Sequence, residues 1–391
     1  MAPNKKQHYV PKFFLRKFSD GTDFVYAYNL KHCETFRLNI SDICQEKYFY
    51  SKEIKFEQNL GVIEGKQASI LNKLIESLSI DSLDENELYY LFLFILMQFT
   101  RTKGSADLYK KLVDNFYIEK IKPILKESPE LKQKGITPEF IDSTNLIIGQ
   151  PLGYTLTIGM MGAELISDLF PIFLINNTDK PFLASDDFIC LYNYVKLKKY
   201  NTLGLQSPGL QIYCPLNQNI ILLLVDQEFY HIELNKNQNR TGIIYINKTS
   251  DIDAINKLQI LNCDQHIIFS SQIYETYIRE LHSEVKQLLD EKSIKRDQVF
   301  RKIPRNYRLQ LSFIRLNREM HKNLKRRTKK AEKINPTVKH PKLCRDFEIC
   351  KIVYERINKS YQEAREELKK EGKSPLELNS FFLLKFPYDF F

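Results

Sequence analysis

The longest apolar stretch of the chain runs Leu88-Tyr-Tyr-Leu-Phe-Leu-Phe-Ile-Leu-Met-Gln-Phe-Thr100 and ends at Arg101. Apolar side chains fall on every side of a 3.6-residue repeat, so the spacing predicts a buried helix over about 83–101, covered on all faces. Ser82 and Glu85 have capping-box spacing, and Asp84, Glu85 and Glu87 place negative charge at the helix start. Gln98 and Arg101, three residues apart on one face near the other end, need polar partners. The preceding segment, 55–79, is amphipathic, with Leu60, Ile63, Ile70, Leu71, Leu74, Ile75 and Leu78 on one face. Glu57 and Glu64, two turns apart, stand at the edge of that face beside Gly61, Gly65 and Ala68.

Elsewhere the pattern changes twice. Pro11 holds Val10 extended and opens a short helix that should bury Phe14, Leu15 and Phe18, with His8 just outside its entrance; a strand follows at 24–28. Residues 103–150 are polar and broken by prolines, a peripheral excursion, and 155–170 returns to helical periodicity around Gly159 and Gly162. From 170 to 271 short apolar runs alternate with turn residues, predicting strands at 172–175, 182–184, 188–192, 210–213, 220–225 and 242–246. Helices are expected at 252–264 and 274–289 and a strand at 266–270. The architecture is α+β: a helical core around the buried helix (about 83–101) packed on a mainly antiparallel sheet (about 170–270), with a basic helical C-terminal extension. In domain terms this is a core at 1–290, helical over 1–170 and β-rich over 171–290, and an extension at 291–391.

Charge sharpens the last boundary. The formal net charge is +10, but residues 292–345 hold nineteen Lys or Arg against three Asp or Glu, a local +16, so the remainder sums to −6. Such a segment suits a nucleic-acid-contacting face, an anionic-surface patch or a solvated connector. Lys302, Arg305, Arg315, Arg318, Lys325, Arg326 and Arg327 are the candidate contacts, with Tyr307 and Phe313 between them. The aromatic terminus, Phe381 to Phe391, should dock on its own body, a second copy or a partner protein. No apolar run reaches the roughly 18 residues needed to cross a bilayer, and seven scattered cysteines with no Cys-x-x-Cys pair read as reduced thiols, so a cytoplasmic protein is expected.

The polar residues embedded in apolar surroundings are the candidate chemistry. Each has a structural reading beside a functional one. His8 is a hydrogen-bonded anchor or a general acid or base. Glu57 and Glu64 either pair with Arg101 to hold two helices in register or hold a cation or move a proton. Ser185 and Asp186, between two strands, form an Asx or Ser turn or present a site carboxylate.

The blocks His8-Tyr9-Val10-Pro11, Phe56-Glu57 with Ile63-Glu64-Gly65, Gln98-Phe99-Thr100-Arg101-Thr102, Phe182-Leu183-Ala184-Ser185-Asp186, Tyr213-Cys214-Pro215-Leu216, and Asn256-Lys257-Leu258-Gln259 through Phe269-Ser270-Ser271 occur in that order. Together they resemble the domain of unknown function 4238 family over roughly residues 5–290; Asp187 and Asn217 depart from its more usual Asn and Ser. The resemblance implies a fold unit and a shortlist, His8, Glu57, Glu64, Gln98, Arg101, Ser185 and Asp186, and its members' spread across bacteria and phages implies mobile or defence systems. The expected function is a nucleic-acid-directed hydrolase, a nuclease of a defence or toxin system, with His8, Glu57, Glu64, Gln98, Arg101 and Asp186 as a composite site. Glu57, Glu64 and Asp186 would hold Mg²⁺, and the basic segment would grip phosphate. The alternative is a non-catalytic nucleic-acid- or protein-binding module whose polar cluster locks the fold.

Overall fold

The computed structural model describes residues 6–49, 54–146, 155–156, 159–195, 204–234, 241–294, 303–304, 306–334 and 344–370. The chain opens with β1 (Lys6–His8), α1 (Lys12–Leu15), β2 (Phe24–Asn29), β3 (Glu34–Asn39) and β4 (Gln45–Lys47). Two long helices follow, α2 (Ile54–Ser77) and α3 (Glu85–Thr100), then the peripheral α4 (Lys103–Phe116), α5 (Lys122–Glu127), α6 (Pro129–Gln133) and α7 (Pro138–Ser143). The β-rich half contains β5 (Phe170–Asn176), β6 (Ala184–Ser185), β7 (Cys190–Asn193), β8 (Leu210–Asn217), β9 (Ile220–Val225), β10 (Tyr230–Ile232) and β11 (Gly242–Ile246). It continues through α8 (Thr249–Asn262), β12 (His266–Phe269) and α9 (Glu275–Ile294) into β13 (Ile314–Leu316), α10 (Arg318–Ile334) and α11 (Phe347–Lys370).

β9 explains the layering. Its six apolar residues are all but buried because the sheet is covered on both sides: Leu222 and Leu224 face one core, Ile221, Leu223 and Val225 the other. Neighbouring strands keep the alternation, with Phe173, Ile212 and Cys214 on the first side and Ile172, Leu174 and Tyr213 on the second. The five strands run in the order β11-β5-β9-β8-β7, antiparallel except for the β11–β5 pair. A second, four-stranded antiparallel sheet, β3-β2-β12-β6, ties the N-terminal hairpin to the end of the β-rich half. The chain is therefore α+β, with mainly antiparallel sheets.

α3 fills the first core, and Leu91 to Gln98 are consecutively buried as an all-round apolar helix requires. Its capping box uses Asp84 and Glu87, not Ser82 and Glu85: Asp84 Oδ1 accepts from the Glu87 amide at 2.7 Å and Glu87 Oε2 from the Asp84 amide at 3.0 Å. Ser82 is instead taken up in a 3₁₀ turn, Ile80–Ser82, which shifts the helix start by two residues. Gly159 is a contact point, since a Cβ there would lie 2.8 Å from the Leu96 carbonyl oxygen on α3. Phe14 of α1 stacks on Phe188 with centroids 3.7 Å apart and meets Phe94 of α3 at 6.4 Å, so helix, sheet loop and N-terminal segment share one aromatic junction.

The start of the expected extension is built into the second core. Ile303, Leu309, Leu311, Phe313 and Ile314 are buried there, and β13 pairs antiparallel with β10. Arg345, ahead of α11, clamps Asp168 through two hydrogen bonds at 2.9 and 3.0 Å. Residues 371–391, including the aromatic terminus, lie outside the described residues. Among the described residues no helix is long and apolar enough to cross a membrane.

Because Phe14 is fully buried at that three-way junction, Phe14→Ala is expected to lower the unfolding free energy by about 3–5 kcal/mol. Urea denaturation followed by circular dichroism measures it.

Candidate functional site

The candidate site forms where α3 hands over to α4. Thr102 caps α4 by accepting from the Ser105 amide at 3.2 Å, so the helices break at Arg101, which ends α3 with its own amide still bonded to the Met97 carbonyl. Its side chain is 0% exposed. A buried guanidinium must be neutralised and its donors used; Nη1 donates to Glu64 Oε1 at 2.8 Å and Nη2 to the backbone carbonyl of His8. The Glu64 side chain keeps 24% of its surface, so the pair is closed on the Arg101 side and partly open on the Glu64 side.

His8 contributes more by its backbone than by its ring. Its carbonyl receives Arg101, and its Nε2 lies 3.1 Å from the Ile40 carbonyl oxygen, which can only accept, so Nε2 carries the hydrogen. Burial holds the ring's pKa down to about 4, with the charges of Lys12, Arg101 and Lys6 adding to the effect and the Ile40 bond opposing it. β1 is fixed on its other edge by β4, where His8 faces Gln45, and Glu46 of β4 is ion-paired with Lys103, two residues past Arg101.

Gln98 lies within the same interface and is 2% exposed, yet neither amide atom has a hydrogen-bond partner among the described residues. One turn along α2 from Glu64, Gln67 is 1% exposed; its Nε2 meets the Met97 sulfur at 3.4 Å, and its Oε1 finds no partner among the described residues. The side chain of Glu57 lies outside the described residues.

Asp186 has donors of its own. Its Oδ1 accepts from the Asp264 amide at 2.9 Å and the Cys263 thiol at 3.3 Å, its Oδ2 from the amides of Gln265 and His266 at 2.8 and 3.1 Å. Four donors fill the carboxylate, which caps the turn between α8 and β12. The loop carrying it is held by three amide side chains on α8 that no sequence motif singled out as a set. Asn256 bonds the Leu183 amide and the Pro181 carbonyl, Gln259 the Ser185 hydroxyl and the Phe188 carbonyl, and Asn262 the carbonyls of Asp187 and Ile189. Their spacing of three along a helix is the signal that would have found them. His266 was also missed: Asn29 donates to its Nε2 at 3.2 Å, which leaves the hydrogen on a buried Nδ1, and burial lowers its pKa against the pull of Asp186.

Among the described residues no group of three or more His, Cys, Asp or Glu side chains could hold a metal ion. Of the three carboxylates expected to hold a cation, Asp186 has both oxygens occupied by donors, Glu64 is paired with Arg101, and the Glu57 side chain lies outside the described residues.

The basic candidates form a second region. Arg315 on β13 and Arg318, Lys325, Arg326 and Arg327 on α10 are exposed, as are Lys322 and Lys329, whereas Lys302 and Arg305 lie outside the described residues. The unit bearing them is firmly docked: Asp251 accepts from the amide and hydroxyl of Ser312 at 2.8 and 2.6 Å, Tyr194 donates to the Leu309 carbonyl at 2.6 Å, and Asn317 donates its amide to the Phe229 carbonyl at 2.8 Å. Tyr307 and Phe313 do not stand among the charges; Phe313 is buried, and the half-buried Tyr307 donates its hydroxyl to the Ala254 carbonyl at 3.1 Å.

Three measurements follow from the α2–α3 interface. Glu64→Gln strips the counter-charge from a fully buried guanidinium and should cost about 3–5 kcal/mol, part of which the double variant with Arg101→Met should restore; a double-mutant cycle of unfolding free energies checks both. Gln98→Met removes two unsatisfied polar atoms from the core and should stabilise the protein by about 1–3 kcal/mol in the same assay. The pH dependence has a definite sign. The unfolded His8 titrates near its ordinary value of 6.5 and the folded one near 4, so its contribution is present above 6.5 and is lost as pH falls toward 4. The melting temperature of His8→Gln should therefore fall less than that of the parent over that window.

No curated protein and no solved structure matches the chain. A family profile does, that of "Protein of unknown function (DUF4238)", over residues 6–272. That span takes in the His8, Glu64, Arg101 and Asp186 blocks together with α8 and stops short of α9 and the basic unit; over more than half its length, the chain belongs to this DUF4238 family.

Proposed function

We propose that this protein binds nucleic acid through the basic unit formed by β13 and α10, while the Glu64–Arg101–His8 cluster fastens the fold. The observation that carries this reading is the rigid docking of exposed Arg315, Arg318, Lys322, Lys325, Arg326, Arg327 and Lys329 on the second core. Cations held on a fixed frame neutralise phosphates and release their counter-ions without reading bases. Seven free thiols support a reducing, cytoplasmic setting.

The hydrolytic reading, a nuclease of a bacterial or phage defence or toxin system, draws less from the geometry. Its Arg101 is wholly buried, its Asp186 is filled by four donors, and its His8 ring is neutral and bonded to a carbonyl. Glu64 keeps 24% of its side-chain surface, and His8 is half-buried.

Fluorescence anisotropy with a labelled mixed-sequence nucleic acid tests the proposal on the full chain. Replacing Lys322, Lys325, Arg326 and Lys329 together by Gln is expected to weaken binding by about a hundredfold or more at fixed salt, with Glu64→Gln binding normally per folded molecule. Unchanged binding by the fourfold variant defeats the reading, and Mg²⁺-dependent cleavage abolished by Glu64→Gln would replace it with the hydrolytic one.

A further inference from the structure

α10 has a sidedness that bears on the form of the nucleic acid, an inference that rests on the function proposed above. Met320 and Leu324, four residues apart, pack it onto the second core. At 100° per residue, Arg318, Lys322, Lys325, Arg326 and Lys329 all fall within an arc of about 100° centred on the opposite side, and all five are exposed. From first to last they span about 16 Å of helix axis. Asn317 fixes the start of this stripe, its Oδ1 accepting from the amides of Glu319 and Met320 at 3.1 and 3.3 Å.

We infer that the ligand of this stripe is a duplex and that it is held by its two phosphate backbones. A straight row of cations on a convex, immobile helix is complementary to a polyanion that is itself straight. A duplex carries one charge per roughly 1.7 Å of axis and is stiff over far more than 16 Å, so it meets the stripe without being ordered. A single strand supplies about half that charge density and loses conformational freedom on being straightened. Binders of single strands recover that loss with a groove and with aromatic faces on which bases stack. Among the described residues, the two aromatic residues that alternate in sequence with the charges are turned away from α10, Phe313 into the core and Tyr307 onto the Ala254 carbonyl.

The test compares, on the full chain, a fluorescein-labelled mixed-sequence duplex of about 20 base pairs with each of its separated strands, titrated between roughly 50 and 200 mM salt. The duplex is expected to bind about tenfold more tightly than either strand, with a slope of log K against log salt of about −4 to −5 for five phosphate contacts. Lys325→Gln with Arg326→Gln should flatten that slope by about two. A separated strand that binds as tightly as the duplex overturns the inference while leaving nucleic-acid binding intact. A slope unmoved by the double variant removes the stripe from the interface, and failure of both duplex and strands to bind removes the proposed function as well.

Discussion

The fold depends on what happens to one buried positive charge. Arg101 sits at the break between α3 and α4, shielded from solvent, and its guanidinium is tolerable there only because Glu64 supplies a counter-charge and the His8 carbonyl a second acceptor. Those two partners come from α2 and β1, so one side chain sets the position of three segments that are remote in sequence. The constraint then propagates: β1 is paired with β4, and Glu46 of β4 is joined to Lys103 just beyond the same helix break. The loop of contacts closes on itself, which makes α2, α3, β1 and β4 one mechanical unit.

A second fastening works with neutral groups. The segment 181–189 crosses the interior, and Asn256, Gln259 and Asn262 on α8 donate to its carbonyls at Pro181, Phe188, Asp187 and Ile189. Holding the loop this way aims Phe188 at Phe14 and gives the first core its stacked pair. The scattered polar blocks that make this sequence recognisable are, in large part, the groups that satisfy buried backbone and buried charge.

The elements that reveal themselves along the chain are those with long, unmixed periodicity. α3, α2 and the strands 172–175, 210–213, 220–225 and 242–246 announce themselves because each must bury a whole face or two. β1 and β4 do not: Lys6-Gln7-His8 and Gln45-Glu46-Lys47 are three-residue polar strands that form a two-stranded sheet of their own, with no alternation to read. Helix spacing offered Glu57 and Glu64 together as partners for Arg101, and the structure pairs Glu64 with it. The filled carboxylate of Asp186 was not legible, because three of its four donors are backbone amides, which every sequence possesses and only a turn can aim. The inward turn of Phe313 was hidden for a related reason: its burial depends on β13 finding β10, more than 80 residues upstream.

Burial also separates the two charged regions by their response to salt. The Glu64–Arg101 pair is shielded on its arginine side, so mobile ions screen it weakly, whereas the cations of α10 project into solvent where the Debye length is about 10 Å at 0.1 M. Under the proposed function, raising ionic strength would therefore weaken binding at α10 long before it disturbs the Glu64–Arg101 pair. The frame on which α10 is mounted matters to that binding for an entropic reason. Cations on a free tail would have to be ordered along with their ligand, and the cations of α10 are already placed by Asp251, Tyr194 and Asn317 before any ligand arrives. The buried Glu64–Arg101 pair thus holds the elements around the first core, and the exposed cations belong to a helix docked on the second.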